Sequence, residues 1–369
     1  MKSMPLIYDL SQEELGEILT DWGEPPYRAR QLYHSLYCEL VNDPLAMTAL
    51  PLSLRTRLQS SMRFDAIEPQ AHMESSDRST HKTLFSLDGG QAIEVVLMRY
   101  SRRSTVCIST QAGCGMGCVF CATGQMGLQR NLTSGEIIAQ VLFYQRRLKS
   151  EGRTLTNIVI MGMGEPFHNY MATMKAVDTL GDPNGFNFGA RRMTISTVGL
   201  VPMIERFGAE RRQVNLAVSL HAATDELRDR LVPINRRYPL ETLIRACHDY
   251  VEATGRRISL EWALISGVND GPDQARALVK LVDGLTCHVN LIPLNPTSGY
   301  SGDAPARPQT NEFARLLASA GIPCTVRARR GIDIRAGCGQ LAVKVGKATG
   351  APAGVSRPSG ENGLIWDGR

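Results

Sequence analysis

Helical spacing dominates the first sixty or so positions. Apolar residues recur every three or four places in "QEELGEIL", for which Ser11 is a natural cap, in "YRARQLYHSLYCELV" and in "LSLRTRLQSSM". Residues 1–63 therefore predict a small helical N-terminal module. The spacing then changes. "KTLFSL" and "AIEVVLM" are strand-like runs on either side of Asp88-Gly89-Gly90, the turn chemistry of a β-hairpin, so residues 64–104 predict a hairpin linker. From residue 105 apolar strands alternate with helical segments: "TVCIST" with "SGEIIAQVLFYQRRL", "NIVIMGMG" with "MATMKAVDTL", "RMTISTV" with "LVPMIERFG". The alternation continues with "NLAVSLHA" before "DELRDRL" and "LETLIRACHDYVEA", "ISLEWALIS" before "DQARALVKLVDG", and "HVNLIPL" before "TNEFARLLASAG". Six such units over residues 105–345 predict an α/β fold with parallel strands and crossover helices, either a doubly wound sheet or an incomplete (β/α) barrel. Several strands end in polar or glycine-rich turns, "MGMGEP", "STVG", "SLHA" and "LIPLNP", and these are expected to converge, because both architectures carry their sites at the carboxyl ends of strands. The tail, residues 346–369, is rich in Gly, Pro and Ser and is expected to be disordered.

Composition adds a setting. The chain has 369 residues, 43% hydrophobic and 21% charged, an ordinary soluble balance. No apolar run reaches the roughly eighteen residues of a membrane span, and acidic residues interrupt any signal-peptide core at the start, which predicts a cytoplasmic protein. Nine cysteines in a long chain is unlike a secreted disulfide scaffold, so the thiols are expected to be reduced, metal-bound or catalytic. The net charge of +5 is modest, but arginines come in pairs, at 102–103, 146–147, 191–192, 211–212, 236–237, 256–257 and 329–330. Such pairs suit phosphate oxygens or, equally, solvated helix ends.

Four of the nine cysteines fall in "CISTQAGCGMGCVFC". Cys114, Cys118 and Cys121 form C-x3-C-x2-C directly after a strand, which suits three thiolates around an iron-sulfur cube with one iron left open. Closed structural zinc wants four N or S ligands, usually as two separated pairs, and the sequence has no second such pair. Three cysteines on a strand-loop-helix are the arrangement of radical S-adenosylmethionine enzymes, in which the methionine amine and carboxylate take the open iron.

Beyond the cluster, the chain resembles the RlmN-type dual-specificity RNA methyltransferases and their relative Cfr. The agreement is collinear: "GEPPYRARQLYHSLY", "CISTQAGCGMGCVFCATGQMGLQRNLT", "IVIMGMGEPFHNY", "RRMTISTVGLVP", "NLAVSLHAATDELRDRLVPINRRYP", "LISGVNDG", "NLIPLNP" and "RARRGIDIRAGCGQL". The resemblance implies an incomplete (β/α)6 radical-SAM barrel holding a 4Fe-4S cluster on Cys114, Cys118 and Cys121. It implies S-adenosylmethionine contacts from Gly164, Glu165, Ser196, Ser219, Leu220, His221 and Asn295. Taken singly, each of these has a plainer role as a turn, strand-end or core residue.

Adenine C2 is an electron-poor carbon with no acidic position, so ordinary methyl transfer fails there. The resemblance implies a route in which one S-adenosylmethionine methylates Cys338. A second is cleaved at the cluster, and the radical so formed takes hydrogen from the S-methyl group, whose carbon then adds to the base. Glu94, in "AIEVVLM", is implied to take the C2 proton, and Cys107 to free the product by forming a disulfide with Cys338. On the residues alone, Glu94 faces either solvent or a cavity, and Cys107 could be a core residue of its strand. Cys38, Cys247, Cys287 and Cys324 read as packing residues. The implied substrates are adenosine 2503 of 23S rRNA and adenosine 37 of some tRNAs. A flavodoxin-like electron donor and a monomeric state complete the picture. Other readings are a Cfr-like C8 methyltransferase, a non-enzymatic iron-sulfur RNA-binding protein and a glycyl-radical activase, the last leaving "AGCGQL" unexplained.

Overall fold

The structure, a computed structural model, describes residues 4–342; the tail expected to be disordered lies outside the described residues. The helical module consists of α1 (Gln12–Asp21), α2 (Tyr27–His34) and α3 (Leu52–Ser61). Ser11 caps α1 as expected, and the cap is reciprocal: Glu14 N donates to Ser11 Oγ at 3.1 Å while Ser11 N donates to Glu14 Oε2 at 2.6 Å. Leu15, Leu19, Leu32, Leu36, Leu54 and Leu58 are buried in the shared core.

Next comes an antiparallel meander of β1 (Glu68–Glu74), β2 (Thr80–Ser86) and β3 (Ala92–Arg99). The expected hairpin is β2–β3, and β1 is an additional outer strand. Then β4 (Ser104–Cys107) leads to a small antiparallel pair, β5 (Gln111–Cys114) and β6 (Gly127–Asn131), with the short α4 (Ala122–Gln125) between them. The alternating part follows: α5 (Ser134–Ser150), β7 (Asn157–Ile160), α6 (Tyr170–Gly181), β8 (Met193–Thr197), α7 (Val201–Ala209) and β9 (Asn215–Ser219). After these come α8 (Asp225–Leu231), α9 (Leu240–Thr254), β10 (Ile258–Leu264), α10 (Pro272–Leu281), β11 (Cys287–Pro293), α11 (Arg307–Ser319) and β12 (Cys324–Val326).

One sheet runs β1-β2-β3-β4-β7-β8-β9-β10-β11-β12, antiparallel as far as β4 and parallel from there on. The six strand-helix units are all present, and β12 adds a seventh parallel strand beyond them. The meander extends one edge, and among the described residues no pairing closes β12 onto it, so the barrel is incomplete. Ile158, Ile195, Leu216, Val218, Leu260, Val289 and Leu291 are fully buried, the near-continuous apolar runs of a parallel sheet.

The module docks on the helices. Asp9 Oδ1 accepts from Gly135 N at 2.6 Å and from Ser134 Oγ at 3.0 Å at the start of α5, and Arg146 donates to Leu40 O at 2.7 Å and Tyr8 Oη at 3.1 Å. Of the four cysteines read as packing residues, Cys247 and Cys287 are buried and Cys324 is half-buried, but Cys38 is exposed. It lies beyond α2 at the rim of the module, where its thiol donates to Gly185 O at 3.1 Å.

Candidate active site

The polar turns converge on one rim. Gly164 and Glu165 follow β7, Ser196 lies near the end of β8, Ser219 ends β9 with Leu220 and His221 directly after it, and Asn295 follows β11. All are at carboxyl ends of parallel strands. Gly164 has φ +102°, and a Cβ there would stand 2.6 Å from Gln111 Cβ, so a side chain would push apart the turn and the β5 segment it closes on. Glu165 N donates to Gln111 Oε1 across that contact at 2.8 Å. The Glu165 carboxylate is buried, with Oε1 accepting from Phe167 N at 3.0 Å and Oε2 from Val198 N at 2.8 Å. Burial nonetheless dominates and pushes it up to about 7.

Ser196 Oγ and Ser219 Oγ are 3.4 Å apart. Leu220 is wholly buried; its N donates to Glu261 O and its O accepts from Arg228 Nε, both at 3.0 Å, so it is left with shape alone to offer a ligand. His221 sits at φ +63°, and its Nδ1 accepts from Ala263 N at 3.0 Å, which leaves the proton on Nε2. Burial and the Arg228 charge push this imidazole down to about 3, so it is neutral. Asn295 Nδ2 donates to Cys338 O at 3.0 Å, while its buried Oδ1 has no partner. An orphaned acceptor of this kind suits an amine or hydroxyl donor on a ligand.

The cluster loop lies over this rim. Cys114 ends β5, Cys121 precedes α4, and Phe120 between the cysteines meets the His221 ring edge-on at 4.9 Å. Burial raises the Cys114 thiol to about 12, with the Glu165 and Cys121 charges adding to it, and raises Cys118 further. Thiols raised in this way become thiolates only beside a strong positive charge, which a metal centre provides. The all-thiolate donor set fits iron and sulfide.

Beside the loop lie the two remaining thiols. Cys107 ends β4 opposite Val96 of β3, so Cys107, Val96 and Glu94 share one face of the sheet. Cys338 is exposed at its surface, yet protein crowds it enough that desolvation, then the Cys121 and Glu261 charges, raise its thiol to about 12. The Cys107 thiol is likewise raised to about 12, by burial first and the Cys338 charge next. The Cys338 turn is fixed to the cluster loop, with Ala122 N donating to Gly339 O at 2.8 Å and Thr123 Oγ1 to Leu341 O at 2.6 Å. Glu94 is 5% exposed, so it faces the protein and not solvent. Its Oε2 accepts from Ala342 N at 3.0 Å, and its Oε1 lies 2.8 Å from Lys82 Nζ, which also donates to Arg335 O at 3.1 Å.

Comparison with known proteins decides the family. The model of the radical SAM superfamily matches residues 108–279, and that of the ribosomal RNA large subunit methyltransferase N-terminal domain matches residues 6–63. The dual-specificity RNA methyltransferase RlmN of Myxococcus xanthus is 52% identical, covering 92% of this chain and 94% of its own. A probable dual-specificity RNA methyltransferase RlmN from Chloroflexus aurantiacus is 50% identical over 91% and 92% of the two chains. The chain belongs to the RlmN family. A crystal structure of a radical SAM methyltransferase from Sphaerobacter thermophilus, 54% identical, superposes with a TM-score of 0.90 over 91% of this chain and 99% of that one. As a radical SAM enzyme the protein works with a 4Fe-4S cluster and S-adenosylmethionine.

In this RlmN-family chain the nine cysteines, all within the described residues, are free thiols. No Cys107–Cys338 disulfide, the bond that product release is expected to form, is present in this structure. Both thiols are raised well above the usual thiol range, which favours the protonated form. The paired arginines divide: Arg146, Arg147, Arg212 and Arg256 bond to protein partners, whereas Arg236, Arg237 and Arg329 are exposed.

Two buried charges escaped the sequence reading. Arg228 is wholly buried and ties the rim together, donating to Val198 O at 2.7 Å, Ser219 O at 3.1 Å and Leu220 O at 3.0 Å. Lys82 is the partner of Glu94, and both side chains are within 6% of full burial. Removing one member strands the other charge, so Lys82→Met is expected to destabilise the fold by about 3 kcal/mol or more, read as a lowered unfolding midpoint. Lys82→Met combined with Glu94→Leu is expected to recover much of the loss. An unchanged midpoint in the single variant would remove the pair from the account of the site.

Proposed function

We propose that the protein makes 2-methyladenosine at adenosine 2503 of 23S rRNA and at adenosine 37 of some tRNAs, the dual specificity named for its relatives. The observation that carries this is the meeting of Cys107, Cys338 and Glu94 beside a three-cysteine loop, from segments far apart in the chain. Cys114, Cys118 and Cys121 would hold the cluster, which when bound supplies the electron that cleaves S-adenosylmethionine. Glu165 takes the ammonium of S-adenosylmethionine, Asn295 Oδ1 accepts from one of its donors, and Gly164, Ser196, Ser219, Leu220 and His221 shape the rest of the pocket. The Cys338 sulfur carries the methyl carbon to C2 and stays bonded through it. Glu94 accepts the C2 proton. With one electron given up by the adduct to a one-electron acceptor, the Cys107 sulfur attacks the Cys338 sulfur: the S–S bond forms, the C–S electron pair passes to the methylene carbon, that carbon takes up a proton to become the methyl group, and a dithiol reductant resets the pair.

Exposed Arg327, Arg329 and Arg335 precede Cys338 in the chain, and Arg236 and Arg237 are exposed after α8, which supports a phosphate-facing rim. In this reading residues 1–63 are an RNA-holding accessory domain, residues 64–104 a linker and residues 105–345 the catalytic core. The protein acts as a cytoplasmic monomer fed by a flavodoxin-like donor. No helix among the described residues is long and apolar enough to cross a membrane.

Anaerobic reconstitution with iron, sulfide, S-adenosylmethionine, a reductant and a 23S rRNA fragment, followed by nucleoside mass spectrometry, tests the proposal. It expects 2-methyladenosine; 8-methyladenosine alone would move the protein to the Cfr-like reaction. The Glu165 assignment has its own test. Because the free carboxyl titrates near 7 and a cationic ligand selects the ionised form, S-adenosylmethionine should bind more tightly as pH rises through 7 and level off above it. Below 7 the affinity should fall by up to about tenfold per pH unit. Calorimetric titration across pH checks this, and Glu165→Gln should flatten the dependence; a slope that persists in that variant excludes Glu165 as its source.

A further inference from the structure

Strands β1 and β2 carry a side-chain cluster with no part in the chemistry above. Their register sets His72 opposite Thr83 and Glu74 opposite His81, and strand alternation puts all four on one face. That face meets α5, where Tyr144 Oη is 2.8 Å from Thr83 Oγ1. The candidate ligand atoms of His72, Glu74 and His81 all lie within 4.8 Å of one another. His81 Nδ1 is 3.4 Å from Glu74 Oε2. Two ligands bound about 2.0–2.1 Å from one tetrahedral ion stand roughly 3.3–3.4 Å apart, so this pair already has the separation a shared ion would impose.

His81 supplies an independent observation. Its side chain is 2% exposed, and neither ring nitrogen has a hydrogen-bond partner. Leaving such a group unpaired costs about 1–3 kcal/mol, and folded interiors seldom tolerate it. The His72 ring stacks on that of His81 with centroids 5.5 Å apart and planes 16° from parallel. Glu74, with 39% of its side chain exposed, opens the cluster to solvent and leaves room for a water as fourth ligand.

We propose that His72, Glu74 and His81 form a structural site for a divalent transition-metal ion of zinc type, separate from the three-cysteine centre. Cationic neighbours face the cluster. Arg147 Nη1 is 2.8 Å from His72 Nε2, Arg78 is 3.7 Å from Glu74, and Arg99 is 2.7 Å from Glu151. Metal entry requires Arg147 to leave His72, and Glu151, already 3.7 Å from Arg147 Nε, receives it. Bound there, the ion pins the edge strand β1 to β2, whose next residue, Lys82, holds Glu94 from the opposite face.

The test uses protein with its iron-sulfur cluster reconstituted, so that the three cluster thiols cannot take up the probe. Equilibrium dialysis against micromolar zinc, with metal analysis, should find one zinc per chain beyond the cluster iron. Zinc-edge X-ray absorption should show nitrogen and oxygen ligands only. Glu74→Ala, at an exposed position that leaves the fold alone, should weaken zinc binding by about tenfold or more, and so should His72→Ala. No retained zinc, sulfur in its coordination shell, or undiminished binding in both variants would each overturn the site, whatever the enzyme's activity.

Discussion

With alanine at position 338 the protein is expected to make no detectable methylated RNA while keeping its cluster iron and its unfolding midpoint. The turn that carries Cys338 is held by main-chain and neighbouring side-chain contacts and not by the thiol: Asn295 Nδ2 to Cys338 O, Ala122 N to Gly339 O, and Gln340 Nε2 to Pro296 O at 2.9 Å. Removing one sulfur from a residue at an exposed position in such a turn changes stability by about 0.5 kcal/mol. The chemical cost is of another order, because a covalent carrier has no substitute: a fall of about 10³-fold or more. Serine at the same position should be as inactive, since its size is nearly kept and only the sulfur is lost. Nucleoside analysis of RNA from cells carrying each variant reads the result directly. Methylation that survived Cys338→Ala would end the two-thiol mechanism.

The barrel was legible in the sequence because its strands are buried on both faces and so read as short apolar runs between amphipathic helices. Edge strands do not advertise themselves this way. The β1 segment "EPQAHME" carries two glutamates and a proline, and β12 is three residues of which two are exposed, the polar and short edges that discourage unwanted pairing. Glu94 could be noticed as a charge among apolar neighbours. Lys82 stands in a similar run but was not paired with it, because the partnership depends on register: Lys82 lies opposite Val96 and Leu84 opposite Glu94, which makes Lys82 and Glu94 diagonal neighbours. Nothing in the spacing of "DELRDRL" distinguishes Arg228 from its charged neighbours, yet it is among the most deeply buried side chains. Burial of a lone polar residue is decided by what the rest of the chain places around it. The approach of Cys338 to Cys107 is of the same kind, invisible to spacing and suggested only by family resemblance.

That approach sets up the other large expected effect. Cys107→Ala should convert a catalytic enzyme into one that reacts at most once per chain and then stays joined to its RNA. If Cys107 frees the product, its removal leaves every earlier step intact, and Cys338 remains bonded to the base it has attacked. A denaturing gel should show a protein–RNA species that Cys338→Ala in the same chain abolishes, and steady-state turnover should fall by about 10³-fold or more. The environment of Cys107 explains why the step waits for the adduct. Its thiol, raised to about 12 by burial, is protonated at neutral pH and so is not a free-running nucleophile. It must lose its proton as it attacks, at the face it shares with Glu94. The buried edge of β4 should tolerate alanine at a cost of about 1 kcal/mol, so loss of turnover cannot be put down to unfolding. Repeated turnover by Cys107→Ala, or a turnover-dead variant that accumulates no adduct while its Cys338 is still methylated, would remove Cys107 from the resolving role.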